Sequence, residues 1–107
     1  MKKFNLKNFK GGWIVGSFDP SIFTTKNFEV SIKHYNASQY EKTHTHKISD
    51  EITIIVSGTV MMNGVRYTKD DIILIGKGES TNFLTLTDVT TCVIKIPSAI
   101  NDKYIDE

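Results

Sequence analysis

Short β-prone runs separated by tight turn signals are the feature of this chain that most constrains its fold. Isoleucine, valine and threonine supply 14, 7 and 12 of the 107 residues, whereas alanine and leucine, the best apolar helix formers, supply only 2 and 4. The pairs Ser57-Gly58, Asn63-Gly64 and Thr87-Asp88 punctuate the second half. Asn-Gly favours a type I′ hairpin, since both of its residues tolerate positive φ. The pattern predicts an all-β chain, an antiparallel sandwich or barrel with no substantial helix.

Eight or nine strands are expected from the alternation. They cover residues 13–18, 28–35, the segment carrying His44 and His46, 51–56, 59–62, 65–67, 72–75, 81–86 and 89–96, with a polar turn over 36–41. In 28–35 the polar residues Glu29, Ser31, Lys33 and Tyr35 share one face. That face either meets solvent or lines a wet cavity inside a barrel.

The strand over 51–56 is apolar on both faces apart from Glu51 and Thr53. Such strands are usually buried on both sides, so a second sheet or a second subunit is needed as cover. The N-terminal arm, residues 1–12, also carries Phe4, Leu6 and Phe9 with little chain to cover them. Both features predict a homodimer.

Length and charge restrict the class of protein. A chain of 107 residues predicts a single domain over 1–107, with its core at about 28–97 and a short tail over 98–107. The single cysteine, Cys92, forms no internal disulfide, and the sequence shows neither a signal peptide nor a membrane span. A cytoplasmic protein without a membrane partner is therefore expected. The net charge of +1 gives no reason to expect a nucleic acid partner.

His44 and His46 are two residues apart, so on a strand they project from one face. A four-residue link, 47–50, leads to Glu51. Two imidazoles and one carboxylate are the ligand set of a facial triad, which suits Fe(II), and Zn or Mn less selectively. The alternative is a pair of exposed surface histidines.

The spacing of His44-Thr45-His46, four residues, Glu51, six residues and Gly58 resembles the first motif of the cupins. These are small jelly-roll β-barrels in which two histidines and a glutamate hold a metal. The resemblance implies a double-stranded β-helix with a divalent transition metal (Fe, Zn, Mn or Ni) on His44, His46 and Glu51, which would also be the catalytic residues. Of the second cupin motif only Gly78 survives, and Thr81 falls where the fourth ligand, a histidine, is usual. The metal site is therefore either open to substrate or empty.

Further side chains are candidates for a substrate pocket. Lys33 and Lys95 lie near the middles of strands, where they either face solvent or, inside a barrel, receive a carboxylate or phosphate. Tyr35, Thr53 and Phe83 complete the candidate pocket. Outside the pocket, Trp13 is interpreted as a packing residue, His34 as a hydrogen-bonded core or interface histidine and Cys92 as a buried thiol.

Three functions follow. The first is a metal-dependent cupin enzyme, an oxygenase or isomerase acting on a small polar or anionic metabolite. The second is a metal-free enzyme resembling cupin-fold isomerases and epimerases of sugar nucleotides, in which a histidine moves protons beside a carbonyl. The third is a non-catalytic binding or sensor module that takes up an anionic metabolite.

Overall fold

Two β-sheets form the protein in the computed structural model, which describes residues 1–105. The strands are β1 Trp13–Gly16, β2 Phe23–Thr24, β3 Glu29–Tyr35, β4 Tyr40–Thr45, β5 Asp50–Ser57, β6 Thr59–Met62, β7 Val65–Thr68, β8 Ile72–Ile75, β9 Ser80–Thr85, β10 Val89–Ile96 and β11 Tyr104–Ile105. One sheet has the order β2-β1-β3-β10-β5-β8 and the other β11-β4-β9-β6-β7. All recorded pairings are antiparallel except that of β1 with β2. The all-β jelly roll predicted from the sequence is confirmed.

The strand bounds agree best with the sequence where turn residues flank an apolar run, as in β6, β8 and β10. The polar turn predicted over 36–41 is wrong at its end, because Tyr40 and Glu41 already belong to β4 and pair with β9. The two-residue strands β2 and β11 were not predicted, since each depends on a partner strand rather than on local alternation. The N-terminal arm forms two 3₁₀ turns, Leu6–Asn8 and Lys10–Gly12.

The polar face of β3 lines the barrel interior. Lys33 pairs with Thr91 of β10, which pairs with Ile55 of β5, and all three lie on the same side of the sheet. Two further rows run parallel to this one, Ser31–Val93–Thr53 and Glu29–Lys95–Glu51. Ser31, Thr53 and Thr91 are buried. Of the two alternatives for this face, the one inside the barrel is therefore observed.

The interior divides into an apolar and a polar part. An apolar cluster of buried residues consists of Ile55, Val60, Met62, Ile75, Phe83 and Val89. Burying aliphatic and aromatic side chains of this size stabilises the fold by roughly 1.5–3 kcal/mol each. Polar residues, among them His44, His46 and Thr81, are also buried. Buried polar groups are costly unless they are paired, so their concentration marks a candidate site.

The outer face of the six-stranded sheet is apolar. Two rows cross β3, β10, β5 and β8, and together they are called the outer apolar face below: Val30–Ile94–Ile52–Leu74 and Ile32–Cys92–Ile54–Ile72. Leu74 and Ile72 are 68% and 67% exposed. Cys92 is only half-buried here, which corrects its interpretation as a buried thiol.

Between residues 1 and 105, no helix has the length and apolar character needed to cross a membrane.

Candidate functional site

A cavity of about 280 Å³ lies inside the barrel. It is lined by the four residues of the predicted metal site, His44, His46, Glu51 and Thr81. The five residues of the predicted pocket, Lys33, Tyr35, Thr53, Phe83 and Lys95, line the same cavity. The fold therefore brings together side chains from β3, β4, β5, β9 and β10 that are up to 62 residues apart in sequence.

His44 is held in a defined orientation at the end of β4. Its Nδ1 lies 3.1 Å from the carbonyl oxygen of Lys42, and because a carbonyl only accepts, Nδ1 must carry the proton. In the neutral form of the ring, Nε2 is then the nitrogen with the lone pair. This is the arrangement in which metal-binding histidines are usually held, with the second nitrogen fixed by a backbone carbonyl. His44 is 8% exposed.

His46 has a buried nitrogen without a partner. The side chain follows β4, and its ring centroid lies 5.2 Å from that of His44. Its Nδ1 lies 3.7 Å from Oε1 of Glu51, whereas its Nε2 is buried and makes no hydrogen bond to residues 1–105. Burial lowers the pKa of His46 and the charge of Lys95 lowers it further, while Glu51 opposes the shift. The imidazole is therefore neutral at pH 7.

Glu51 is oriented by its own strand. Thr53, two residues along β5 on the same face, donates a hydrogen bond of 2.8 Å from its hydroxyl to Oε2. The other carboxylate oxygen faces His46. Oε2 therefore has a hydrogen-bond donor in Thr53, whereas Oε1 lies beyond hydrogen-bonding distance of the imidazole.

Thr81 lies directly opposite His44 in the pairing of β4 with β9. This is the position at which the second cupin motif usually has a histidine as the fourth metal ligand. Its hydroxyl donates to the carbonyl oxygen of Asn82 at 2.7 Å, so it offers the cavity only lone pairs.

The ligand atoms of these side chains suit a divalent transition metal, since neutral imidazoles and a carboxylate are its usual ligands. Nε2 of His46 is buried without a hydrogen-bond partner among the described residues and is therefore available as a ligand atom. However, these side chains do not converge on a single point in the structure. In the part of the chain that the structure describes, no group of three or more His, Cys, Asp or Glu residues is arranged to hold a metal ion. Glu51 lies beside Nδ1 of His46, and the unpartnered nitrogen is Nε2.

Trp13 belongs to the cavity wall, which corrects its interpretation as a packing residue alone. The Nζ atoms of Lys33 and Lys95 lie 5.0 and 5.1 Å from the centroid of its ring. The role of Trp13 follows from its pairing with Ser31, which places it on the interior side of β3. No sequence pattern predicts that register, because the pairing shifts irregularly between Trp13 and Val15.

Tyr35 and Phe83 form the aromatic part of the wall. Their ring centroids are 5.1 Å apart, and Tyr35 donates a 3.1 Å hydrogen bond to Oε1 of Glu41. Burial raises the pKa of Tyr35 well above its usual range, and the charge of Glu41 adds to the shift. Tyr35 is therefore a neutral hydrogen-bond donor at any physiological pH.

Asp102 was not singled out from the sequence, yet it orders the link between His46 and Glu51. Its carboxylate accepts hydrogen bonds from the backbone N–H groups of Lys47, Ile48 and Ser49, at 2.9 to 3.1 Å. Burial opposes ionisation, but these backbone hydrogen bonds outweigh it and lower the pKa of Asp102. Ser49 and Asp102 are 53 residues apart in sequence, so no local pattern could have predicted the contact.

His34 lies away from the site. It is exposed, and its Nδ1 is 2.8 Å from the hydroxyl oxygen of Thr90 on the neighbouring strand. The hydrogen bond was expected, whereas a place in the core was not correct, because the outer side of β3 is open at this end.

The sequence matches no protein-family model and none of the functionally curated proteins. The structure is similar to an uncharacterized conserved protein with a double-stranded β-helix domain from Klebsiella pneumoniae, at a TM-score of 0.68 and 18% identity, covering 78% of this chain and 73% of that one. It is also similar to KdgF from Halomonas sp., at a TM-score of 0.65 and 17% identity over 72% of this chain and 74% of that one.

A third similar structure is the DMSP lyase DddQ from Ruegeria pomeroyi, with a TM-score of 0.72 and 16% identity. The match covers 87% of this chain and 49% of the lyase, so this chain spans about half of that protein. At these identities the likeness defines the fold alone. That fold is a double-stranded β-helix, as the resemblance of the segment from His44 to Gly58 to the first cupin motif implied.

Proposed function

We propose that the protein binds a small polar or anionic metabolite in the barrel cavity and acts on it at a centre formed by His44, His46 and Glu51, with a divalent transition metal as cofactor. The observation that carries the proposal is the buried Nε2 of His46, which makes no hydrogen bond to residues 1–105. An unsatisfied buried polar atom costs roughly 1–3 kcal/mol. A ligand that coordinates or hydrogen-bonds this nitrogen would remove that cost.

The residues around the centre have separable tasks. The carbonyl of Lys42 fixes the tautomer of His44, and the hydroxyl of Thr53 fixes the carboxylate of Glu51. A bound metal would supply Lewis-acid chemistry and a site for water or substrate, with the two histidines and Glu51 as its holders. Tyr35 stays protonated and donates its hydroxyl proton to Glu41, so its oxygen can accept a hydrogen bond from a substrate, while Phe83 and Trp13 keep the wall partly apolar.

Metal analysis tests the proposal. Protein purified without chelator should contain close to one equivalent of a transition metal, or take it up from Fe(II), Zn, Mn or Ni solutions. The variant His46→Ala should lose this metal. His34→Ala is the matched control, because His34 is the one histidine of the chain outside the cavity, and it should behave as wild type. A wild-type protein that neither contains nor takes up any of these metals would refute the metal-dependent function.

A second candidate is proton transfer without a metal. It is favoured by the position of Glu51 beside Nδ1 of His46, at 3.7 Å, which leaves Nε2 to exchange a proton with a substrate. The cavity volume of about 280 Å³ favours a metabolite much smaller than a nucleotide sugar. Exchange of deuterium from solvent into a small carbonyl compound, undiminished by EDTA and abolished in Glu51→Gln, would support this mechanism. Loss of that exchange on chelation would exclude it.

A further inference from the structure

Two ammonium groups share one indole in the cavity. Lys33 of β3 and Lys95 of β10 place their Nζ atoms 5.0 and 5.1 Å from the centroid of Trp13. The indole face attracts cations and can stabilise both ammonium groups at this position. The same arrangement brings two like charges together, and the charge of Lys95 disfavours ionisation of Lys33.

Among the described residues neither lysine forms a direct ion pair, although Glu41 and Glu51 favour the charged form of Lys33 from a longer distance. Within residues 1–105 the ion pairs closer than 4.0 Å include Lys103 with Glu41, at 3.7 Å, but none with Lys33 or Lys95. Lys95 has Glu29 and Glu51 as its neighbours on adjacent strands, yet both lie beyond that distance. Half-buried, unpaired cations beside each other are costly, and an anion bound between them would offset that cost.

We propose that Lys33 and Lys95, with Trp13 beneath them, bind the carboxylate of a small organic acid. This deepens the proposed function by naming its substrate class, and it rests on that function only for the reaction, not for the binding. The anchored molecule lies in the same cavity as His46 and Glu51, and Lys95 is near enough to His46 for its charge to act on the imidazole. The carboxylate of the substrate thus positions the molecule, and the rest of the substrate lies against His46 and Glu51.

The charge and size of the cavity favour a carboxylate over a phosphate. Three lysines and two glutamates line it, a formal charge of +1 with neutral histidines. A monocarboxylate neutralises that charge, whereas a phosphate monoester, at about −1.5 to −2, leaves an excess beside Glu41 and Glu51. The volume of about 280 Å³ holds roughly nine water-sized groups at ~30 Å³ each. That is the size of a three- to five-carbon acid.

The tryptophan provides the test, because Trp13 is the only one in the chain. Its fluorescence should change saturably on titration with the monocarboxylates lactate or butyrate, and not with neutral lactamide. Isothermal calorimetry with the same compounds gives a readout that does not depend on the indole. Lys33→Met and Lys95→Met keep the aliphatic stems and should each weaken carboxylate binding by about tenfold or more. Lys69→Met, at a lysine whose side chain is 67% exposed, is the matched control and should bind as wild type.

Each outcome decides the proposal. Carboxylate affinities unchanged in both cavity variants, the absence of binding by both methods in the wild type, or tighter binding of inorganic phosphate than of every carboxylate would overturn it. Metal content measured on the same samples separates the two proposals. Carboxylate binding without metal leaves this inference standing and removes the metal-dependent function, and metal uptake without carboxylate binding does the reverse. Thermal unfolding of each variant within a few degrees of wild type shows that a loss of binding is not a loss of fold.

Discussion

Lys33 shows what the barrel does to a single charge. Burial lowers the pKa of its ammonium group below the usual 10.5, and Lys95 and Lys103 lower it further, while Glu41 and Glu51 act in the opposite direction. A lysine with a lowered pKa in the folded state is destabilising while it is charged. Its contribution to stability therefore becomes more favourable as the pH rises through that pKa.

We expect Lys33 to titrate at a lower pH than the surface lysines, with carboxylate binding lost in the same pH range. Side-chain NMR of the lysine ¹³Cε signals, assigned through Lys33→Met, measures this directly. Bound carboxylate should move the Lys33 titration back towards the usual value, because it favours the charged form. A Lys33 signal that titrates together with those of Lys69 and Lys77 would contradict the account.

The hydroxyl of Thr53 orients the carboxylate of Glu51, and a substitution of Thr53 tests this role. Replacing it with valine keeps the shape but removes the donor to Oε2 of Glu51. We expect Thr53→Val to weaken metal binding by about 10–100-fold, which is the usual effect of removing a partner that orients a ligand. Thr91→Val is the matched control, since Thr91 is equally buried on β10 but its hydroxyl makes no hydrogen bond to Glu51 in the described structure. Equal metal affinities in the two variants would argue against an orienting role for Thr53.

At the scale of elements, the link between His46 and Glu51 depends on the segment after β10. Asp102 accepts from three successive backbone N–H groups of the link, and Ser49 donates from its hydroxyl to the carbonyl of Pro97 at 2.7 Å. The β11 strand pairs with β4 at His44 and Thr45. The segment after β10 therefore supports both elements that carry the predicted metal ligands.

We expect Asp102→Ala to lower the free energy of unfolding by about 2–3 kcal/mol, because it leaves three backbone N–H groups unpaired, of which that of Ser49 is buried. Amide exchange at Ser49 should accelerate. Asp50→Ala is the matched control, since within residues 1–105 its carboxylate accepts from a single exposed N–H, that of Lys77 at 2.9 Å, and it should cost about 1 kcal/mol or less. Chemical denaturation and amide exchange of the three proteins check the prediction, and similar losses in both variants would contradict it.

The same carboxylate predicts a pH dependence. Since the folded-state pKa of Asp102 lies below its usual 3.8, its stabilising contribution is present above that usual value and disappears only as the pH falls through the lower one. Protection of the Ser49 amide, corrected for intrinsic exchange, should therefore be the same at pH 5 as at pH 7. A loss of protection of the Ser49 amide near pH 5 would show that the pKa of Asp102 is not lowered.

The elements also show how far the sequence could go. The alternation and flanking turns predicted β6, β8 and β10 at their observed bounds, since those signals are local. The face of β3 could not be assigned, because a wet interior and a solvated surface have the same period of two. The positions of Trp13 and Asp102 depend on contacts with distant residues, Ser31 across a bulge and Ser49 across 53 residues, which have no sequence signature.

At the scale of the molecule, we propose that two copies associate through the outer apolar face. Its two rows contain no charged residue across four strands, and a two-fold axis would set the same patch against itself. Leu74 and Ile72, the most exposed of these residues, lie on β8 at the edge of the sheet. Exposed apolar surface of this continuity is typical of an interface between proteins.

Light scattering should therefore give the mass of a dimer at tens of micromolar, and Leu74→Lys should give a folded monomer. Val65→Lys is the control, because Val65 is 51% exposed on β7 of the other sheet and its replacement should leave the dimer intact. A wild-type monomer at that concentration would exclude the association.

The anchoring of the link by Asp102 has a consequence for synthesis in the cell. Both histidines and Glu51 leave the ribosome long before the carboxylate that orders the turn between them, which follows Ser49 by 53 residues. Until then, that turn has no acceptor for its amides. A nascent chain arrested shortly before this aspartate would hold every ligand of the proposed centre and still bind metal poorly, so the pocket matures last.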